Sequence, residues 1–263
     1  IVPAVSNTAI AAPVVVSGGF IGVDVGAALT ITFSMDMDPG SFPGAVTVIA
    51  QRDKDANAIQ NPAVFDLNYD APTKSLTIVP SPSWDHNTLY ALKLSTNAKS
   101  ASGVPVAQAL SRQFLTIFDK AENNTLADLT GTTKLVVPGQ IFPSDGYVVV
   151  KANPLQDPDQ ADPQCISGAT EKLVSDQGPF KKPVAIREIN LYDTSNNLIE
   201  LPAAALASLI LHFQDDAKGF VASSQPLIRV ETLSLWTLDC TRKLWVKLPG
   251  SRLDSFAQSV AAP

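Results

Sequence analysis

The sequence is short of charge, histidine, cysteine and long apolar runs, and each shortage excludes something. Charged residues make up 17% of the 263 positions, against roughly 25% in ordinary soluble proteins. Disordered chains combine high charge with few apolar residues. Here 45% of residues are hydrophobic, so the chain has the material for packed cores. The net charge of -6 argues against a basic groove for nucleic acid. Histidine occurs only as His86 and His212, and neither accompanies a GxSxG, HExxH or Walker motif, which leaves no nucleophile–histidine pair in view. Cysteine occurs only as Cys165 and Cys240, with no CxxC pair, which removes the cysteine-based zinc modules. No apolar run reaches the length of a membrane span, and no charged segment precedes a signal-like apolar stretch. The expectation is a mature secreted product or a piece of a longer one, with no membrane span in this chain.

Proline is plentiful, at 20 residues where about 5% of positions is usual, which disfavours long helices. From Pro13 to Phe118 the pattern is strand after strand. Leu29, Ile31 and Phe33 alternate with Thr30 and Thr32, the period of a half-buried strand. Val46, Val48 and Ala50 repeat it, as do Leu76 with Ile78 and Tyr90 with Leu92 and Leu94. Asp38-Pro39-Gly40, Asn61-Pro62, Asp70-Ala71-Pro72 and Ser102-Gly103 supply turns between them. Short strands at regular spacing predict a β-sandwich.

Specific segments sharpen this. Pro13-Val14-Val15-Val16-Ser17 is followed by Ile31-Thr32-Phe33-Ser34-Met35-Asp36-Met37-Asp38-Pro39, then Tyr69-Asp70, Leu76-Thr77-Ile78-Val79-Pro80, Leu89-Tyr90-Ala91-Leu92-Lys93-Leu94 and Ala101-Ser102-Gly103-Val104. In this order they resemble the immunoglobulin-like domain that recurs in S-layer proteins and other secreted bacterial surface proteins, over about residues 11–118. The resemblance implies a spacer, scaffold or adhesive module and brings no catalytic residues with it. Read physically, Phe33 belongs to the core, Asp38 starts a turn, and Tyr90 is a corner tyrosine whose hydroxyl seeks a backbone partner.

Residues 119–133 are polar and aperiodic and read as a linker between a first domain at 1–118 and a second at 134–263. The second is again β-rich. Leu135 to Val137, Tyr147 to Val150, Val184 to Tyr192 and the residues around Trp236 are strand-like. Leu244 to Pro249 follows a tight turn, giving a hairpin. This half resembles, more weakly, the β-sandwich modules that close many bacterial surface repeats, through Leu233-Ser234-Leu235-Trp236 and Leu244-Trp245-Val246-Lys247-Leu248-Pro249-Gly250-Ser251. Ser255 to Pro263 is the one candidate for a last strand and is short, so either an unpaired sheet edge or a chain that is a piece of a larger protein is expected. Leu206, Leu209, Ile210 and Phe213 fit helical spacing, yet Leu209, Leu211 and Phe213 also alternate. We expect a helical turn at Pro202–Ala205 leading into a strand. The fold class is all-β, with two immunoglobulin-like β-sandwich domains in tandem.

The stretch 152–183 lacks clear periodicity and is long for a loop in a compact domain. Two buried thiols and one disulfide are both compatible with the cysteine count. A Cys165–Cys240 bridge would tie this loop to the hairpin turn, stabilising the fold by roughly 4 kcal/mol in the chain-entropy model, and implies an oxidising compartment. Asp157, Asp159 and Asp162 are candidate calcium ligands, and Asp53, Asp55 and Asn57 a second set, although neither completes an EF-hand. A solvated acidic turn is the ordinary reading of each. Trp84, Trp236 and Trp245 are candidates for a sugar-stacking platform, with core packing as the plainer role. The chain is expected to be extracellular, non-enzymatic and structural, a stalk, surface-layer or filament unit that associates with other copies or neighbouring domains. The alternative is an adhesin or glycan-binding accessory module of a secreted enzyme.

Overall fold

A computed structural model describes residues 2–16, 18–152, 163–177, 183–200, 207–216, 218–222 and 228–263. The first domain is a sandwich of two sheets. One holds β1 (Val5–Ile10), β4 (Leu29–Phe33), β8 (Ser75–Pro80) and β7 (Phe65–Asp70), hydrogen-bonded in the order β1-β4-β8-β7. The other runs β2 (Val14–Val16), β3 (Gly19–Val23), β10 (Leu110–Thr116), β9 (Leu89–Leu94), β5 (Val46–Arg52) and β6 (Ala58–Pro62), in the order β2-β3-β10-β9-β5-β6. All neighbours are antiparallel except β3 and β10, which pair in parallel.

The alternation in the sequence becomes the core directly. Leu29, Ile31 and Phe33 of β4, Val46, Val48 and Ala50 of β5, and Leu76 and Ile78 of β8 all point inward and are buried. Trp84, Tyr90 and Phe114 stack beside them with ring centroids 5.0–5.4 Å apart. The Trp84 indole N–H donates to the Ala27 carbonyl at 2.8 Å, so its one polar atom is satisfied where it is buried. The Tyr90 hydroxyl finds its backbone partner: the Asp85 N–H donates to it at 2.8 Å, and it donates to Asp85 Oδ2 at 3.1 Å. Asp38 accepts from the Gly40 N–H at 3.0 Å and caps the short turn Pro39–Ser41.

The second domain is built around a sheet ordered β11 (Asn124–Ala127), β12 (Thr133–Val137), β15 (Ser208–His212), β19 (Ser259–Ala262), β18 (Arg252–Asp254). The antiparallel pair β13 (Gly146–Ala152) and β14 (Arg187–Asp193) packs against it. Val148 and Leu191 from the pair meet Leu126, Leu135 and Val137 from the sheet. A hairpin, β16 (Trp236–Asp239) with β17 (Leu244–Lys247), one α-helix, α1 (Pro163–Gln177), and a 3-10 turn at Val230–Thr232 complete its described elements.

Two features differ from the sequence reading. The stretch 119–133, read as a linker, contains β11, which pairs residue for residue with β12. Four residues are too few to show a period, and the strand exists because its partner is there. The aperiodic stretch 152–183 contains α1. Ile166, Ala169 and Leu173 do keep helical spacing, but a small Ala169 and the mid-helix Gly168 blur it. The last-strand candidate does form a strand, β19, paired on both sides by β15 and β18. The sheet ends in β11 on one side and β18 on the other; β18 is only three residues long, with Arg252 and Asp254 exposed, a short charged strand of the kind that resists further pairing. Residues 208–212 are a strand, while the helical turn expected at 202–205 lies outside the described residues.

Candidate functional site

The two domains meet over a junction that both chain order and chemistry create. β10 runs on through Ile117 to Phe118, whose N–H donates to the Gly146 carbonyl at 2.7 Å. The chain therefore leaves the first domain already paired with the start of β13. That strand is apolar on both faces. Val148 serves the second core, while Tyr147 and Val149 join Ile21, Leu89 and Leu115 of the first domain in a separate buried cluster. The run Tyr147 to Val150 is continuous rather than alternating because both faces are covered.

Tyr147 lies over Gly22 so closely that a Cβ there would stand 2.8 Å from its ring and 2.7 Å from Pro13. Gly22 also has φ +79°, a conformation that favours glycine. The Tyr147 ring stacks on Tyr192 at 5.4 Å, and its hydroxyl donates to Asn196 Oδ1 at 2.9 Å. Burial, and after it the nearby Tyr192 and Asp193, raise the Tyr147 pKa.

A polar clasp borders this cluster. Arg52, at the end of β5 and 9% exposed, reaches across to donate Nη2 to the Ala127 carbonyl at 3.3 Å and Nη1 to the Leu129 carbonyl at 3.5 Å. Burial lowers its pKa, and Asp128 partly opposes that. Asn87, buried at φ +45°, donates Nδ2 to the carbonyls of Lys54 at 2.9 Å and Thr125 at 3.1 Å, one on each domain. The Thr125 N–H donates to the Lys54 carbonyl at 2.8 Å. Outside these, Lys54 Nζ and Glu122 form an exposed ion pair at 2.6 Å, which adds little by itself. The side-chain donors Arg52 and Asn87 of the first domain thus bond backbone carbonyls at Thr125, Ala127 and Leu129 of the second.

A second feature lies in the second domain. Cys165 of α1 and Cys240 of the hairpin turn are joined by a disulfide spanning 75 positions. Cys165, Ile166 and Ala169 are buried, and the Trp245 indole N–H donates to Thr170 Oγ1 at 3.1 Å. Asp239 shapes the turn, accepting from the Arg242 N–H at 3.0 Å and from Arg242 Nε at 2.7 Å. These bonds, the backbone one foremost, hold its carboxyl below the usual carboxylate range. Beside the helix and hairpin is an apolar cavity of about 230 Å³ whose walls include Leu209, Leu211, His212, Trp236 and Trp245.

With this geometry in place, comparison with known proteins adds the family. Residues 8–116 match the family described as bacterial Ig-like domain. The first domain is a bacterial Ig-like domain. No curated protein sequence matches the chain. Among solved structures, the S-layer protein rSbsC(31-844) is similar at 11% identity over 79% of this chain and 25% of that one, with a TM-score of 0.30. The N-terminal part of the bacterial S-layer protein SbsC gives 12% identity, 82% and 45% coverage and a TM-score of 0.31. Native alpha-2-macroglobulin from Escherichia coli, over domains MG0-NIE-MG1, gives 11%, 90%, 73% and 0.29. The chain thus spans a quarter to under half of these S-layer structures.

In the Ig-like domain, Asp53, Asp55 and Asn57 stand together in the β5–β6 turn, which the Asp53 carboxylate organises. Asp53 Oδ1 accepts the N–H groups of Asp55 at 3.0 Å and Asn57 at 2.8 Å, and Oδ2 accepts Asn57 Nδ2 at 3.2 Å. Asp157, Asp159 and Asp162 lie outside the described residues. Among the described residues, no three His, Cys, Asp or Glu side chains are grouped to hold a metal. The three tryptophans do not share a platform: Trp84 is sealed in the Ig-like core, while Trp236 and Trp245 line the cavity of the second domain. Residue-by-residue reading missed Arg52, Asn87 and Tyr147. The signal for Tyr147 was the unbroken apolar run at 147–150, too rich for a strand with a wet face; Arg52 and Asn87 left none.

Proposed function

We propose that this chain is an extracellular structural module of a bacterial surface protein, a stiff two-domain block of a stalk, surface layer or filament. In this reading it works by transmitting position and load and by protein–protein association with neighbouring domains or other copies, and it carries out no reaction. The observation that carries the reading is the junction: Arg52 and Asn87 hydrogen-bond across it, and Tyr147 packs over Gly22 inside a shared apolar cluster. A chain of independent binding modules has no need of such a joint, since domains default to relative motion unless their interface is extensive and apolar. The bacterial Ig-like family of the first domain and the disulfide, which suits an oxidising compartment, support the same reading. NMR relaxation of the full chain tests it. Both domains should show one rotational correlation time, that of a 27.8 kDa body. Two shorter, unequal times would refute a stiff block. Light scattering over a concentration series, with and without calcium, tests association and the proposed use of calcium by Asp157, Asp159 and Asp162 or by Asp53, Asp55 and Asn57.

The second reading, a glycan-binding accessory module, is favoured by one observation: Trp236 and Trp245 are half-buried in the wall of one cavity. A glycan array separates the two, because a structural block should retain no sugar.

A further inference from the structure

Strand β3 reads Gly19-Phe20-Ile21-Gly22-Val23, and every residue of it is buried. Glycine weakens a strand and marks places where something approaches the backbone closely. At both glycines a side chain of the second domain comes in. A Cβ at Gly19 would stand 3.3 Å from Leu129 Cδ1, and one at Gly22 would stand 2.8 Å from the Tyr147 ring. Beside them, Ile21 joins Leu115 of β10 in the cluster with Tyr147 and Val149. Phe20 and Phe114 belong to the Ig-like core instead. The β3–β10 ladder is thus covered by its own core on one side and by the second domain on the other.

This ladder also holds a particular place along the chain. β3 and β10 are adjacent and parallel, paired Gly19 with Gln113, Phe20 with Phe114, Ile21 with Leu115 and Val23 with Thr116. The Gln113 N–H donates to the Gly18 carbonyl at one end, and the Ile117 N–H to the Val23 carbonyl at the other, both at 3.0 Å. Tension along the chain reaches β3 at Gly19 and leaves β10 toward Phe118. In a parallel pair these are opposite ends of an evenly spaced ladder. The strands are then drawn lengthwise past each other, and all their hydrogen bonds take load together. Antiparallel partners pulled apart from one end lose their bonds one at a time. β1 and β2 come earlier in the chain, but each is an edge strand bonded to a single neighbour. Both can strip away with the ladder intact.

We propose that the β3–β10 ladder is a tension-bearing latch, and that the second domain seals it through Leu129, Tyr147 and Val149. This rests on the reading of the chain as a load-transmitting block and names the element that carries the load. The seal matters because a loaded hydrogen bond gives way most readily when water can take the place of its partner. In a dry, low-dielectric site the same bond is stronger. The two domains are therefore coupled in function as well as in position. The second protects the bonds that keep the first from being drawn open, and the two glycines of β3 are what let its side chains lie directly on them.

Force-clamp spectroscopy of the full chain, held at its two ends, tests this. Each domain is recognised by its step. Freeing the roughly 100 residues from Gly19 to Thr116 adds at most about 350 Å. The disulfide withholds 75 residues of the second domain, so reduction with dithiothreitol should lengthen that domain's step alone, by about 250 Å. Gln113→Pro removes the donor at one end of the ladder and should shorten the lifetime of the Ig-like domain at fixed force about tenfold. Tyr147→Ser opens the cover from the other domain and should shorten it at least ~3-fold. This second variant carries the test if the proline prevents folding. Ile78→Val trims the core on β8, outside the ladder. It should lower stability in urea yet change the lifetime under force less than ~2-fold. If either folded ladder variant keeps the wild-type lifetime, or Ile78→Val shortens it as much as they do, the proposal is overturned. The stiff-block reading fails separately, on two unequal correlation times by NMR.

Discussion

At the scale of single residues, the least replaceable positions are set by close approach and by buried polar groups. Gly22 and Gly44 make the point by contrast. Both have positive φ, +79° and +80°, but a Cβ at Gly44 meets nothing within 4 Å, whereas one at Gly22 meets Pro13 and Tyr147 below 3 Å. Gly44→Ala should therefore cost only the conformational penalty, about 1 kcal/mol. Gly22→Ala adds overpacking to it and should cost about 2–4 kcal/mol, a difference that urea unfolding resolves. Tyr90 supplies a pH signature. Burial, foremost, and the Asp85 carboxylate raise its pKa above the usual phenol value. An acid with a raised pKa in the fold gives stability that is complete below its unfolded pKa, near 10, and lost as pH rises toward its folded value. Between about pH 9 and pH 12 the stability of wild type should fall more steeply than that of Tyr90→Phe. At neutral pH the variant should be about 1 kcal/mol weaker, because the Asp85 N–H loses its acceptor. Equal alkaline slopes for the two proteins would show that Tyr90 ionises freely in the fold.

At the scale of elements, alternating strands were the most legible. Leu29-Ile31-Phe33 and Val46-Val48-Ala50 each present one face to one core, so two-residue periodicity survives in the sequence. β11 and α1 were hidden for a physical reason. β11 is four residues long and owes its structure to β12. α1 has a buried face of Cys165, Ile166 and Ala169, too small and too mixed to stand out. The helix is instead fastened by the Cys165–Cys240 bridge and by Trp245 on Thr170, contacts that only the fold reveals. The bridge is therefore expected to matter more to this helix than its own amphipathicity does. Replacing both cysteines by serine should destabilise the second domain by about 2–4 kcal/mol. Among the described residues α1 packs on β17 of the second domain, so the Ig-like core around Trp84 should be affected less. Tryptophan fluorescence separates the two, because Trp84 reports on the Ig-like core and Trp236 and Trp245 report on the second domain.

At the scale of the molecule, β13 decides the architecture. One strand puts Val148 into the second core and Tyr147 with Val149 against the Ig-like domain, so neither domain can shift without disturbing a core. Two sandwiches were readable from the sequence, but how firmly they join was not, because Arg52, Asn87 and Gly22 come from separate strands and turns of the first domain and gain their meaning only opposite the second. The stiffness should then have a breakable chemical basis. Arg52→Ala leaves the Ala127 and Leu129 carbonyls without their side-chain donor, a cost of about 1–3 kcal/mol where these groups stay dry. Tyr147→Ser removes the ring that covers Gly22. Either change alone leaves the other half of the joint in place and should alter small-angle X-ray scattering little. Together they should raise the radius of gyration and give the two domains different rotational correlation times, while each domain keeps its own unfolding transition. If the double variant still tumbles as one body, the polar clasp and the Tyr147 contact are not what couples the domains, and the chain passage through Phe118 and Gly146 is the hinge-proof element instead.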